Sequence, residues 1–194
     1  MREQPPRVVY LHGFNSSPAS LKARLLVEYC KANRIESVVP ALSHDPVVAM
    51  NTALACITGH SEPPALLIGS SLGGYYATWL AEKFALKAAL VNPAVSPCDH
   101  LHAEFLGPQC NYYSGEKYEF TAEHVESLRR FDAKVIENPS RYLLLVQTGD
   151  EVLDYRLAVQ RYAGCEMIVQ PGGNHSFENF AGMLPRIMQF AGLK

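Results

Sequence analysis

Short apolar runs recur along the chain and alternate with segments of helical pattern. The runs are continuous rather than alternating, which is typical of strands buried on both faces of a parallel sheet. Six such runs occur, at residues 8–11, 38–41, 65–68, 88–91, 142–146 and 167–169. Apolar residues at helical spacing lie between them, for example Leu21, Leu25, Leu26 and Tyr29. The pattern predicts an α/β fold: a doubly wound, mostly parallel sheet of about six strands with right-handed crossovers.

The last segment is predicted to form two helices, because proline is disfavoured inside a helix and favoured in its first turn. We expect a short helix from about Phe177 to near Gly182 and a second from Pro185 to Phe190.

The alternation of strands and helices is interrupted after the fourth run. Residues 98–138 are rich in aromatic side chains and end in a helical pattern around 122–130. We interpret them as a helical cap insertion within a single domain that spans residues 1–194. The insertion could cover a functional site, a sheet edge, or both.

Composition limits the partners. The 194 residues suffice for one domain. The formal charge is −2 and there are no runs of like charge, so the sequence does not indicate a surface that binds nucleic acid or an anionic membrane. The expected partner is a small molecule.

Five scattered cysteines, and the absence of a signal peptide or an apolar span, favour a reduced, cytoplasmic protein. A zinc site at Cys98, His100, His102 and Cys110 is disfavoured, because the spacing lacks the paired pattern of small zinc sites.

The candidate nucleophile is Ser71. It is the serine of a G-x-S-x-G motif, Gly69 to Gly73, which follows an apolar run and precedes a helical pattern. In this context the motif forms a sharp strand-to-helix turn that exposes the serine, and the flanking glycines avoid collisions within that turn.

Candidate partners for Ser71 follow later strands, where ligands of open parallel sheets bind. Asp150 follows the fifth run and His175 the sixth, which gives the order serine, acid, histidine of an α/β-hydrolase. His175 would remove the serine proton, and a carboxylate would orient its ring. Asp150 is the preferred acid, with Asp154 second and Asp99 third.

Backbone amides are predicted to form the oxyanion hole. The amide of Leu72 follows the nucleophile at a helix start, where amides are unpaired. The second donor is expected from the loop after the first strand, most simply Phe14, where Gly13 allows close approach. His12 is expected to brace this loop rather than to react. Candidate residues for an apolar acyl pocket are Tyr75, Tyr76, Tyr112 and Tyr113, although such aromatics are more often plain core.

The sequence resembles the α/β-hydrolase superfamily and, more closely, the small bacterial esterases of the YqiA type. The segments that carry the resemblance are YLHGFNSSP at 10–18, GSSLGGYYA at 69–77, VNPAV at 91–95, GDEVLDY at 149–155 and GGNHSF at 172–177. The resemblance implies serine-dependent hydrolysis of carboxylic esters, extending to acyl-coenzyme A thioesters, with Ser71, Asp150 and His175 as nucleophile, acid and base. No cofactor or metal is expected. The alternative is a non-catalytic binding module on the same scaffold.

Overall fold

A computed structural model describes residues 5–100 and 105–193. Its centre is a six-stranded sheet, parallel throughout, with the strand order β2-β1-β3-β4-β7-β8. The strands of this sheet are β1 Arg7–Leu11, β2 Glu36–Val38, β3 Leu66–Ser70, β4 Ala88–Val91, β7 Tyr142–Gln147 and β8 Glu166–Gln170. The predicted fold class is therefore confirmed.

Seven α-helices are assigned in the described ranges, together with one 3₁₀ turn at Pro139–Arg141. The helices are α1 Leu21–Ala32, α2 Pro46–Thr58, α3 Leu72–Phe84, α4 Pro97–His100, α5 Ala122–Arg129, α6 Tyr155–Arg161 and α7 Phe180–Ala191. A separate antiparallel hairpin consists of β5 Gly107–Cys110 and β6 Lys117–Phe120.

The sheet separates two apolar layers. On strand β1, Val8 and Tyr10 pack with residues of α1 and α7, whereas Val9 and Leu11 pack with residues of α2 and α3. All four side chains are buried, because successive residues of a strand point to opposite faces and both faces are covered. This arrangement explains why the strand sequences are continuously apolar.

The second strand lies earlier than the sequence indicated. The structure has it at Glu36–Val38, paired with β1 at the edge of the sheet, instead of at residues 38–41. Pro40 has no amide hydrogen to donate to a neighbouring strand, so the chain leaves the sheet before it. The strand is polar and partly exposed because it lies at the edge.

The prediction of two C-terminal helices is wrong. A single helix, α7, continues through Pro185, while Phe177 and Asn179 have positive φ values of 61° and 58° and precede it. Proline has no amide hydrogen, so Pro185 cannot donate the helix hydrogen bond to the carbonyl of Ala181. Both residues are exposed, so water can donate to that carbonyl instead. Burial of the stripe Phe180, Leu184, Ile187 and Met188 stabilises the continuous helix.

The inserted segment contains the predicted helix, as α5, and also the β5–β6 hairpin, which the sequence did not reveal. Its aromatic side chains surround Phe14 in the loop after β1. The ring centroids of Phe105 and Tyr118 each lie 6.2 Å from that of Phe14, and the centroid of Phe120 lies 5.0 Å away. The insertion therefore packs directly on the loop that borders the candidate site.

Candidate active site

Ser71 occupies a strained turn between β3 and α3. Its backbone angles, φ 55° and ψ −125°, are rarely adopted by residues other than glycine. The turn is possible because the neighbouring glycines approach backbone closely. A Cβ on Gly69 would lie 2.6 Å from the Cα of Gly74, and one on Gly73 would lie 2.6 Å from the carbonyl oxygen of His12.

Replacing Gly73 by alanine is expected to lower the free energy of unfolding by about 3 kcal/mol, because the new methyl group meets fixed backbone of β1 and the following loop. Urea denaturation measures this change. Gly107→Ala is the comparison. An added Cβ has open space there, so the only cost is the backbone strain of an alanine at a positive φ of 95°. Equal unfolding midpoints for the two variants would contradict the steric account.

The structure brings Ser71, His175 and Asp150 into one hydrogen-bonded chain. Nε2 of His175 lies 3.0 Å from Oγ of Ser71. Nδ1 of the same ring lies 3.0 and 2.9 Å from the two carboxylate oxygens of Asp150. A carboxylate can only accept, so Nδ1 carries the hydrogen and Nε2 is left free to accept the serine proton.

The carboxylate of Asp150 is held rigidly. Its side chain is 1% exposed, against 22% for His175, and Oδ1 also accepts hydrogen bonds of 2.9 and 2.8 Å from the amides of Val152 and Leu153. The two alternative acids have other partners. Asp154 caps α6 by accepting from the amide of Arg156, and Asp99 forms an ion pair with Arg129.

The predicted oxyanion donors lie beside Ser71. Leu72 begins α3, and a Cβ placed on Gly13 would lie 3.0 Å from Cβ and 3.5 Å from Oγ of Ser71. In the described residues, the amides of Phe14 and Leu72 have no backbone acceptor. Unpaired amides next to a nucleophile can stabilise negative charge that develops during attack.

His12 braces the loop that carries Phe14, as expected. The amide of Leu42 donates to Nε2 of His12 over 3.0 Å, so Nδ1 carries the hydrogen and donates to the carbonyl of Gly13 over 2.9 Å. The residue is 3% exposed. Burial lowers the pKa of His12, so the ring stays neutral where a solvated histidine would be charged.

This depressed pKa predicts a loss of stability on acidification. Below about pH 6.5, His12 binds a proton in the unfolded chain but not in the folded protein. The free energy of unfolding therefore decreases as the pH decreases. His12→Gln keeps an acceptor near Nε2 and does not titrate, so we expect a weaker decline between pH 8 and pH 5. Urea midpoints across that range measure it. His60→Gln, the same change at an exposed site, should show the same decline with decreasing pH as the parent. An equal decline in His12→Gln would contradict the explanation.

Two buried side chains that the sequence analysis did not assign to the site hold the loop that carries His175. Nδ2 of Asn92, at the end of β4, donates to the carbonyls of Asn174 and His175 at 3.0 and 3.2 Å. Oε1 of Gln147, the last residue of β7, accepts from the amides of Asn174 and Glu178. The sequence signal that could have identified Gln147 is its position as a polar residue at the end of a buried apolar run.

Two charged side chains also contact this loop. The amide of His175 donates to Glu151 over 2.9 Å, and Nζ of Lys22 donates to the carbonyl of Ser176 over 2.8 Å. Burial lowers the pKa of Lys22 to about 8, and the charge of Asp150 partly opposes this shift.

A small cavity borders the amides of Phe14 and Leu72. Its lining includes Gly13, Phe14, Leu72 and Tyr76. The other predicted pocket residues are placed differently: the hydroxyl of Tyr75 donates to the carbonyl of Leu128 over 2.7 Å, while Tyr112 and Tyr113 lie exposed after β5. A wider, open groove on the outer side of α2 shares no residue with the cavity.

The structure also bears on metal binding and on membrane insertion. Over the described part of the chain, no group of three or more histidine, cysteine, aspartate or glutamate side chains could hold a metal ion. His102 and the side chain of His100, two members of the considered zinc set, lie outside that part. The five cysteines form no disulfide. Among the helices described, none has the length and apolar character to cross a membrane.

The fold and the strand-to-helix serine turn place this chain in the α/β-hydrolase superfamily. Within it, the chain belongs to the Uncharacterised protein family (UPF0227), whose model matches residues 7–192. A UPF0227 protein of Shewanella woodyi is 28% identical, with 94% of this chain and 98% of the relative covered. A UPF0227 protein of Serratia proteamaculans is 25% identical, with 94% and 97% covered.

Solved structures share the architecture at low sequence identity. Mouse alpha/beta hydrolase domain-containing protein 10 superposes with a TM-score of 0.75 at 16% identity, covering 100% of this chain and 91% of its own. The esterase domain of a Rhodothermus marinus protein gives 0.71 at 19%, covering 98% and 88%. A monoacylglycerol lipase of Paleococcus ferrophilus gives 0.69 at 16%, covering 98% and 96%. At these identities the likeness shows the fold alone.

Proposed function

We propose that this protein is a serine hydrolase that cleaves carboxylic esters through an acyl-enzyme on Ser71. The observation that carries the proposal is the hydrogen-bonded chain from Asp150 through His175 to Ser71, which ends beside two unpaired amides. The esterase and lipase names of two structural neighbours favour acyl esters as the substrate class.

Each proposed step uses a group already in place. Nε2 of His175 takes the proton of Ser71 as Oγ attacks the carbonyl carbon, and Asp150 stabilises the resulting imidazolium. The amides of Phe14 and Leu72 donate to the oxyanion. His175 then protonates the departing alcohol as the bond to it breaks, which leaves the acyl group on Oγ. A water molecule, deprotonated by His175, attacks this ester, and His175 returns the proton to Oγ of Ser71 as the acyl bond breaks and the acid is released.

The same sequence of steps accommodates an acyl-coenzyme A thioester, in which a thiol replaces the alcohol as leaving group. We therefore include thioesters in the proposed substrate class. The chemistry uses only side chains and amides of this chain together with water, so the proposal involves no cofactor or metal.

The proposal is tested by burst kinetics and covalent labelling. Rapid mixing with a chromogenic ester should release about one leaving group per protein molecule before steady turnover if deacylation is slow. A serine-directed phosphonate should abolish turnover, with its mass increment located on Ser71 by peptide mass spectrometry. A protein that is unlabelled at Ser71 and inactive toward esters and thioesters would support the binding-module alternative.

A further inference from the structure

The cavity beside the oxyanion amides is small. Its volume is about 20 Å³, which is room for about one water molecule or a group of one or two non-hydrogen atoms. Gly13, Phe14 and Leu72 belong both to the cavity lining and to the backbone around Ser71. Because these residues adjoin Ser71, the cavity is a space into which an acyl group on Ser71 can extend, and it has room only for a short chain.

The cavity is lined by both polar and apolar side chains, and most of the polar ones are already paired. His12 binds Leu42 and Gly13, and Nδ2 of Asn111 donates to the carbonyl of Ser16 over 3.0 Å. Further contacts join Tyr118 with Asn15 and Ser43 with the amide of Asp45, and the ring of His44 stacks on that of Tyr118. These contacts hold the side chains in place.

Tyr76 is the exception. The side chain is 2% exposed, and among the described residues its hydroxyl has no hydrogen-bond partner. Burying an unpaired hydroxyl is unfavourable, and native structures keep such groups mainly where a ligand or water pairs with them. Burial also raises the pKa of Tyr76, so the hydroxyl stays protonated and can donate.

The position of Tyr76 connects it to the reacting centre. It follows Leu72 by four residues on α3, and residues at this spacing lie one turn apart on the same helix face. Leu72 and Tyr76 both line the cavity, so the space that begins beside the amide of Leu72 also borders Tyr76.

We propose that the cavity binds a short α-hydroxyacyl group, such as the glycolyl group, and that the hydroxyl of Tyr76 donates a hydrogen bond to the α-hydroxyl oxygen. This inference rests on the proposed ester hydrolysis at Ser71. It makes Tyr76 a specificity-determining residue of that reaction and replaces the apolar acyl pocket that the sequence suggested.

The test compares two acyl groups of nearly equal size. Values of kcat/KM are measured for 4-nitrophenyl glycolate and propionate, each divided by its rate with hydroxide to remove intrinsic reactivity. The corrected ratio should favour glycolate about tenfold in the parent and fall to about one in Tyr76→Phe, because a buried donor rejects the substrate that lacks its partner. Hexanoate should be turned over at least tenfold more slowly than propionate, because the cavity is small.

Tyr75→Phe is the matched control, since it removes a neighbouring hydroxyl that is bound to Leu128 and should leave the glycolate-to-propionate ratio unchanged. Tyr76→Phe should fold normally, because the lost hydroxyl has no partner to leave unpaired. A parent ratio near one, a ratio that survives Tyr76→Phe, or preferred hexanoate would overturn this proposal while leaving ester hydrolysis intact. Absence of both phosphonate labelling and turnover would instead overturn the proposed function, and this inference with it.

Discussion

Replacing Ser71 by alanine is expected to reduce kcat/KM for ester hydrolysis by roughly 10⁴-fold or more, because no other group can form the acyl-enzyme. The remaining rate would come from the oxyanion amides acting on an attacking water. The fold should be retained, since the serine side chain contributes one hydrogen bond to His175 and no core packing. Steady-state kinetics with a chromogenic short-chain ester, together with thermal denaturation, measure both quantities.

Ser70→Ala is the control for this change. Ser70 is the adjacent residue, is 4% exposed, and lies at the end of β3 on the side of Tyr10. Its removal should leave kcat/KM within a few-fold of the parent. Turnover by Ser71→Ala at the parental rate would refute a serine nucleophile, whereas equal losses in both variants would indicate damage to the turn rather than to the chemistry.

The sheet could be predicted from the sequence because burial on both faces leaves a strong local signal. Five of the six runs match strands of the sheet, four of which are buried throughout, and β4 has the predicted bounds. The candidate nucleophile, base and acid were also identifiable, because each follows a strand of the sheet and parallel strands end at one edge. Local sequence thus sufficed wherever one element determines where a side chain lies.

Features that depend on tertiary contacts could not be predicted in this way. The polar edge strand β2 pairs along one side only and lacks an apolar run. The continuity of α7 through Pro185 depends on a buried stripe that outweighs one missing hydrogen bond. Gln147 holds the His175 loop across more than twenty residues of sequence, a separation that local patterns do not encode.

The acyl pocket shows the same limit. Four tyrosines in the sequence suggested an apolar acyl pocket, yet their side chains diverge. Tyr75 is anchored to α5, Tyr112 is 80% exposed, and Tyr76 alone of the four lines the cavity. Residue type indicated that aromatic groups are present, but the packing of the insertion against the loop after β1 determines which one lines the cavity.

Asp150→Asn is expected to lower kcat by roughly 10³- to 10⁴-fold with little change in fold. The asparagine oxygen can still accept from the amides of Val152 and Leu153, so the loop should be preserved. The amide NH₂, however, donates where the carboxylate accepted. It would favour the His175 tautomer with the hydrogen on Nε2, which cannot take the proton of Ser71. Steady-state kinetics between pH 6 and pH 9, at saturating ester, measure the loss.

Asp154→Asn separates this effect from a general loss of negative charge near the site. Asparagine caps helices as well as aspartate does, so α6 should persist and kcat should stay within about twofold of the parent. A severe loss in Asp154→Asn combined with a mild one in Asp150→Asn would transfer the acid role to Asp154. That result would require the loop after β7 to rearrange on substrate binding, because the carboxylate of Asp154 is now engaged with the amide of Arg156 and that of Asp150 with the ring of His175.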